Sequence, residues 1–415
     1  MECERLPPIY SGYAPNSIRG EKLTCNTHQK KDAYIALTIA TVAMAISFMV
    51  WASLSPVSNQ IAAEFGLSAS QKSLLIATPV LLGSIMRIPM GILSDRYGGK
   101  KIYIITMLFT LIPLALIPFA STYLYLMLCA FFIGMAGTTF AIAISYVSTF
   151  FPAEKQGLIL GIAGMGNIGN ALSGLIIPRI NANWGFDWIY YSLMIAIVVI
   201  VAIFAIFAKE MNLSTEKKTL KQSLSVVKDK NTWYLSLFYF LTFGAFVALS
   251  NYLPAFMGDQ FSIGAVNAGL FSAGFAATAT FMRPVGGILA DKLNPTKLLT
   301  TGFAMIAVAA FLIAFSLTQY GIFTTLIFIT ALIVGLGNGI IFKMVPMVSK
   351  GNTGAVTGFV GAAGGLGGFF PPLLLGIIKQ NTGSYTLGFI LLGVFALICL
   401  VTVWAVYLRK PAATS

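Results

Sequence analysis

The 415-residue sequence holds one histidine, four cysteines and only thirteen acidic residues, and their positions remove whole classes of function. His28 lies in the N-terminal tail, and Cys3, Cys25, Cys129 and Cys399 show neither paired nor metal-ligand spacing, which argues against a zinc site and a disulfide framework. Every carboxylate falls in a tail, a loop or the end of an apolar run. A membrane enzyme would need a nucleophile, a metal or paired carboxylates inside those runs, so no catalytic residue, metal or cofactor is expected. Charge is scarce as well, at 9% of residues against 57% hydrophobic ones, where a soluble domain carries about a quarter. Such a chain cannot hide its apolar surface in a soluble core; the lipid bilayer is its solvent.

What is present is a succession of apolar runs, each near the ~20 residues that a helix needs to cross a ~30 Å hydrocarbon core. They predict an all-α membrane protein with spans at about 33–56, 71–93, 100–120, 122–151, 156–180, 187–208, 232–256, 265–291, 296–318, 321–349, 352–380 and 384–408. Twelve spans put both termini on one side. Of the 26 basic residues, Lys72, Arg179 and Lys379 fall on the other side and Arg87, Arg283 and Lys343 within spans, which leaves twenty on the side of the termini. The positive-inside rule then makes that side cytoplasmic. The formal charge of +13 is therefore topology and not a nucleic-acid footprint. The first thirty residues carry charges of both signs and no apolar core, and read as a cytoplasmic tail rather than a cleaved signal.

The chain also repeats itself. Arg87-Ile-Pro-Met-Gly91-Ile-Leu-Ser-Asp95 returns as Arg283-Pro-Val-Gly-Gly287-Ile-Leu-Ala-Asp291, displaced by 196 residues. Phe48 to Ser55 returns at Phe243 to Ser250, and Gly157, Gly161 and Gly164 return as Gly354, Gly358 and Gly361. The repeat predicts two six-helix bundles related by pseudo-two-fold symmetry, with parallel topology. The expected division is a tail 1–32, a first bundle 33–208, a cytoplasmic linker 209–231, a second bundle 232–408 and a short tail 409–415.

Three ionisable residues lie inside spans, where each costs about 2.5–3.5 kcal/mol even on the lenient insertion scale: Arg87, Arg283 and Lys343. No carboxylate is placed by sequence to neutralise them. Two arginines at equivalent places, each four residues before a glycine, predict one shared site. Guanidiniums ~10 Å apart at an effective dielectric of ~20 repel by ~1.7 kcal/mol, whereas an anion midway gains ~3.3 kcal/mol from each. The forked donors of arginine suit an oxyanion, and a cationic substrate is disfavoured. Glycine is dense in the fifth and eleventh spans, from Gly157 through Gly164 and Gly166 to Gly169, and from Gly358 through Gly361 and Gly364 to Gly368. Close helix packing and close approach to a ligand account for this equally well.

The segments Gly91-Ile-Leu-Ser-Asp95-Arg96 and Gly287-Ile-Leu-Ala-Asp291 resemble the loop motifs of the major facilitator superfamily, over essentially all of 33–408. In that family they imply a hinge on the cytoplasmic face, here carried by Gly91, Asp95, Arg96, Gly287 and Asp291. The glycine-rich segments and the paired arginines are similar to those of its nitrate/nitrite porters. That resemblance implies substrate contacts from Arg87, Arg283, Asn167, Phe140, Tyr239 and Phe243, and a pore lined by Gly164, Gly166, Gly361 and Gly364. It implies a carrier of nitrate and nitrite across the cytoplasmic membrane by alternating access, through exchange or together with protons; a monomer is expected. Formate, oxalate or cyanate are the alternative cargoes. Lys343 departs from the family pattern, and is expected to add a third positive charge near the anion or to titrate during transport.

Overall fold

Apolar length becomes helix length throughout the computed structural model, which describes residues 16–151, 156–210, 225–348 and 353–409. Among these residues twelve helical spans are long and apolar enough to cross a membrane. They are α1 (Lys31–Phe65), α2 (Ala69–Tyr97), α3 (Gly99–Phe119), α4 (Tyr123–Ser148), α5 (Leu158–Trp184) and α6 (Phe186–Phe207) in the first half. The second half holds α7 (Lys230–Phe261), α8 (Ala265–Lys292), α9 (Pro295–Phe315), α10 (Tyr320–Val345), α11 (Val356–Thr382) and α12 (Thr386–Leu408). Each expected span is found, and α7 runs five residues further than expected because the helix continues through Pro254. The tail up to residue 15, the greater part of the expected linker and the last six residues lie outside the described residues.

Local chemistry sets the turns between spans. Ser68 and Gln71 form a reciprocal capping box that starts α2, and Asn294 caps α9 ahead of Pro295. Gly98 and Gly185 hold φ angles of +97° and +91°, which a residue with a Cβ rarely adopts, so the chain can reverse within one residue. We call the side that carries both ends of the twelve-span bundle the terminal face, and the opposite side the far face.

The halves meet along two equivalent seams, α2 with α11 and α5 with α8. The α5–α8 seam is drawn tight by glycine: a Cβ on Gly174 would lie 2.6 Å from the carbonyl oxygen of Gly269. On the far face Ser55 donates to the carbonyl of Asn251, the neighbour of its repeat equivalent Ser250. Asn59 likewise donates to the carbonyl of Ala255. Near-equivalent residues of the two halves meet here, so the pseudo-symmetry axis passes close to these contacts. Toward the terminal face Gly161 of α5 and Gly358 of α11 border open space, since a Cβ at either would meet nothing within 4 Å. The halves are thus joined by hydrogen bonds on the far face.

Candidate functional site

Halfway along the axis the regular helices break. Span α4 passes through a 3-10 turn at Gly134–Thr138, and α5 through another at Gly164–Asn167. In α2 the helix is interrupted at Met86, and Arg87 starts the next segment. Glycine and proline supply the cause: Pro89 of α2 withholds one helix hydrogen bond, and the glycines lower the cost of tightening a turn. These irregular segments carry Arg87, Phe140 and Asn167 into the centre from the first half. The unbroken α7 and α8 carry Tyr239, Phe243 and Arg283 from the second.

Both arginines are buried, at 0% and 2% exposure, so neither extends to a headgroup region. Arg87 donates through Nε to the Gly137 carbonyl at 3.2 Å and through Nη1 to the Gly361 carbonyl at 2.8 Å. Its Nη2 finds no acceptor, and Arg283 finds none for Nε, Nη1 or Nη2. Among the described residues no carboxylate pairs with either. Aromatic faces hold them instead. The Arg87 guanidinium carbon lies 5.6, 5.1 and 5.2 Å from the ring centres of Trp51, Phe140 and Phe243. That of Arg283 lies 5.4 Å from the same Phe140 ring and 4.7 Å from Phe342. Sharing one ring, the two charges are no more than about 10.5 Å apart.

Four rings close a circuit around this point: Phe140 to Phe243 at 5.9 Å, Phe243 to Tyr239 at 4.9 Å, Tyr239 to Phe342 at 5.0 Å and Phe342 back to Phe140 at 5.9 Å. The Tyr239 hydroxyl, within the circuit, and Asn167 Oδ1, in the 3-10 turn of α5, are buried without partners. Each buried donor left unpaired costs about 1–3 kcal/mol, and aromatic quadrupoles recover about 0.5–2 kcal/mol per contact. Rings therefore hold the charges in place without satisfying their N–H groups. The arrangement can accept a small flat oxyanion, gripped in its plane by N–H donors and bounded on its faces by rings.

The glycines divide by direction. A Cβ on Gly164 would fall 2.9 Å from the Arg283 guanidinium carbon, one on Gly361 3.4 Å from the Phe140 ring, and one on Gly364 would clash with the edge of the Tyr239 ring. Gly166 instead faces Met44 of α1, which a Cβ would approach to 2.7 Å, so it packs helices rather than lining the centre. The hinge residues sit at the terminal face, where Asp95 accepts from Ser145 and the Arg96 guanidinium lies over Tyr97 at 5.5 Å. Gly91 and Gly287 have room for a side chain: a Cβ on the first would lie 3.9 Å from Ala141, and one on the second would meet nothing within 4 Å.

Lys343 corrects an expectation. It forms an ion pair with Asp291, and both side chains reach solvent, at 36% and 48% exposure. A carboxylate is thus available to it after all, and it is not an unpaired charge deep in the membrane. One residue earlier on the helix, Phe342 turns about 100° away into the aromatic circuit. Lys343 and Ser145 occupy comparable places, each holding the motif aspartate of its own half. Phe342 and Trp51 are site residues that the sequence does not single out. Only the general excess of aromatics near the motifs could have signalled them.

The sequence profile described as Major Facilitator Superfamily matches residues 40–348. The chain belongs to the major facilitator superfamily. A relative within it, the "Nitrite extrusion protein" of Bacillus subtilis, is 36% identical over 381 residues, covering 92% of this chain and 96% of that one. The "Probable nitrate transporter NarT" of Staphylococcus epidermidis is 38% identical over 378 residues, covering 90% and 96%. Among solved structures, a bacterial homologue of the human lysosomal transporter Spinster superposes with a TM-score of 0.70 at 18% identity, over 91% of this chain and 98% of that one. The superfamily and its named relatives make this chain a multi-pass membrane transporter and not an enzyme.

Proposed function

We propose that this major facilitator carries nitrate and nitrite across the cytoplasmic membrane, with both termini in the cytoplasm, by rocking the halves 33–208 and 232–408 about an anion held between Arg87 and Arg283. The observation that carries the reading is the arginine pair itself: two buried cations within about 10.5 Å, no carboxylate between them and four N–H-bearing nitrogens without acceptors. At an effective dielectric of ~20 an anion midway gains about 3 kcal/mol from each cation, and their mutual repulsion is about half that. The planar, delocalised nitrate and the bent nitrite suit a site that offers forked N–H donors and flat aromatic faces. The relatives named for nitrate transport and nitrite extrusion support the same cargo.

Exchange is the favoured cycle. Two facing cations without an anion oppose closure around the centre, so the carrier returns most readily with a second anion on board. Lys343, as the partner of Asp291, offers no support for proton coupling at the site. Counterflow tests the reading: proteoliposomes loaded with nitrite should accumulate labelled nitrate transiently, with or without a proton gradient. Equal counterflow driven by internal formate, oxalate or cyanate would reassign the cargo to another small anion, and no counterflow with any of them would overturn exchange.

A further inference from the structure

Trp51 of α1 is a buried indole that meets two other helices of its own half. Its Nε1 donates to the carbonyl of Pro79 on α2 at 3.0 Å. A Cβ on Gly83 of α2 would come within 2.9 Å of that nitrogen, and one on Gly137 of α4 within 2.8 Å of the ring. The indole therefore fills a gap that glycine at both positions leaves open. Over its face lies the Arg87 guanidinium carbon, 5.6 Å from the ring centre. Arg87 Nε donates to the carbonyl of the same Gly137 at 3.2 Å.

The second half has no such wedge. By the repeat offsets, Trp51 corresponds to Phe246 and Gly83 to Ala279. Phenylalanine carries no ring donor, and alanine carries the methyl group for which the indole leaves no room at position 83. Both differences remove the same device, and the arginines differ accordingly. Arg87 has acceptors for Nε and Nη1 and leaves only Nη2 unpartnered, whereas Arg283 has none for any of its three nitrogens among the described residues. The hydrogen bond to Pro79 fixes the indole to α2, and the indole packs against the Gly137 backbone that receives Arg87. One fork is thus held in orientation and the other is not. A group held in its working geometry by its neighbours binds a ligand without the ordering that a mobile group must undergo.

We propose that Trp51 is a positioning residue of the anion site: tied to Pro79 and packed on Gly137, it holds Arg87 in one orientation with Nη2 turned to the anion. Arg283, with no such support, is the fork that adjusts to the cargo. Trp51 acts through Arg87 and not by touching the anion, so losing its N–H weakens binding and leaves turnover alone. A residue that merely filled the gap would need neither the donor nor its place beneath a cation. The proposal rests on the reading that Arg87 and Arg283 hold the anion between them.

Trp51→Phe keeps a ring beneath the guanidinium and removes the donor. In proteoliposomes of the full-length chain exchanging labelled nitrate for internal nitrite, it should raise the nitrate KM about fivefold, the scale of one lost neutral hydrogen bond, with kcat within about twofold. A loss of folded carrier lowers the amount of transport but not KM, so a folding defect does not mimic this result. In an Arg87→Lys background, where the fork is already gone, Trp51→Phe should change KM less than about twofold, and in an Arg283→Lys background it should keep its effect of about fivefold. The same cycle read by thermal unfolding needs no transport: Trp51→Phe with Arg87→Lys should lower Tm by less than the sum of the two single shifts, and Trp51→Phe with Arg283→Lys by that sum. An unchanged KM in Trp51→Phe overturns the proposal, and so do effects on KM or Tm that are equal in the two lysine backgrounds. If neither lysine variant alters KM by itself, the arginine site falls and the proposal with it, which is a separate failure from the other two.

Discussion

Arg87 reaches across the boundary between the halves to the main-chain oxygen of Gly361, 2.8 Å from its Nη1. The relation is mirrored, for Arg283 of the second half lies against Gly164 of the first, where a Cβ would come within 2.9 Å of its guanidinium carbon. Gly164 and Gly361 are equivalents in the repeat. Each arginine is therefore seated on the glycine-rich span of the opposite half, and any relative motion of the halves moves both cations against their seats. Binding and rocking are coupled through these two contacts.

Replacing Arg283 with lysine keeps the charge but offers one point of contact where the fork offered two. Losing a charge-assisted hydrogen bond costs about 1.5–3 kcal/mol, so Arg283→Lys and Arg87→Lys should each lower labelled nitrate uptake in proteoliposomes at least tenfold. Arg87→Lys should also lower thermal stability, since it breaks the tie to Gly137 and Gly361, whereas Arg283→Lys should not. Uptake within about twofold of the unaltered chain in either variant would remove the paired-arginine site.

Glycine substitutions separate seating from packing. Gly164→Ala places a methyl group against the Arg283 guanidinium and should weaken nitrate binding about tenfold, the ~1.4 kcal/mol scale of modest overpacking. Gly161→Ala, one turn nearer the terminal face and with nothing within 4 Å, should leave binding unchanged. Isothermal titration with nitrate on both purified variants checks the contrast, and equal losses would show that α5 glycines act through helix stability alone.

The twelve spans, the repeat and the arginine pair are all legible in the sequence, because each is written in neighbouring residues or in a fixed offset. Apolar runs declare a helix in lipid whatever surrounds them, and Arg87 and Arg283 stand out through a displacement that chance does not supply. What stays hidden is every pairing between distant elements. Lys343 and Asp291 are separated by 52 residues, Lys72 and Asp259 by 187, and no periodicity links them. Taken without those partners, one lysine reads as a lone intramembrane charge and the other as an outer loop residue. Phe342 is masked by the charge of its neighbour Lys343, although helix geometry aims the two in different directions. Gly166 looks like its neighbours and differs from them only by facing α1.

Lys343→Gln breaks the pair with Asp291 at the terminal face. Both side chains are about a third or more exposed, and exposed pairs contribute about 0.2–1 kcal/mol, so the turnover of nitrate exchange should change less than about fivefold. Its pH profile should keep the shape of the unaltered chain. Asp291→Asn should have the same effect, and the double variant should add nothing to either single one, as a coupled pair requires. A flattened pH profile in Lys343→Gln alone would return proton coupling to that lysine.

Phe140 is the ring that both cations share, and removing it discriminates between a wall and a working part. Phe140→Ala takes an aromatic face away from each arginine and opens the ring circuit on both sides of that position. Phe342→Ala takes a face from Arg283 only. At about 0.5–2 kcal/mol per cation–π interaction, Phe140→Ala should raise the nitrate KM roughly tenfold or more and Phe342→Ala by a smaller factor. Phe140→Tyr keeps the ring face and should stay close to the unaltered chain. The ordering is the informative part. If the rings served only to exclude water, both alanine variants would leak without a change in affinity, and a fluorescence assay of passive anion entry would rise equally in the two. An affinity that falls further in Phe140→Ala than in Phe342→Ala, at constant leak, assigns to Phe140 the task of holding two like charges close enough together to share one anion.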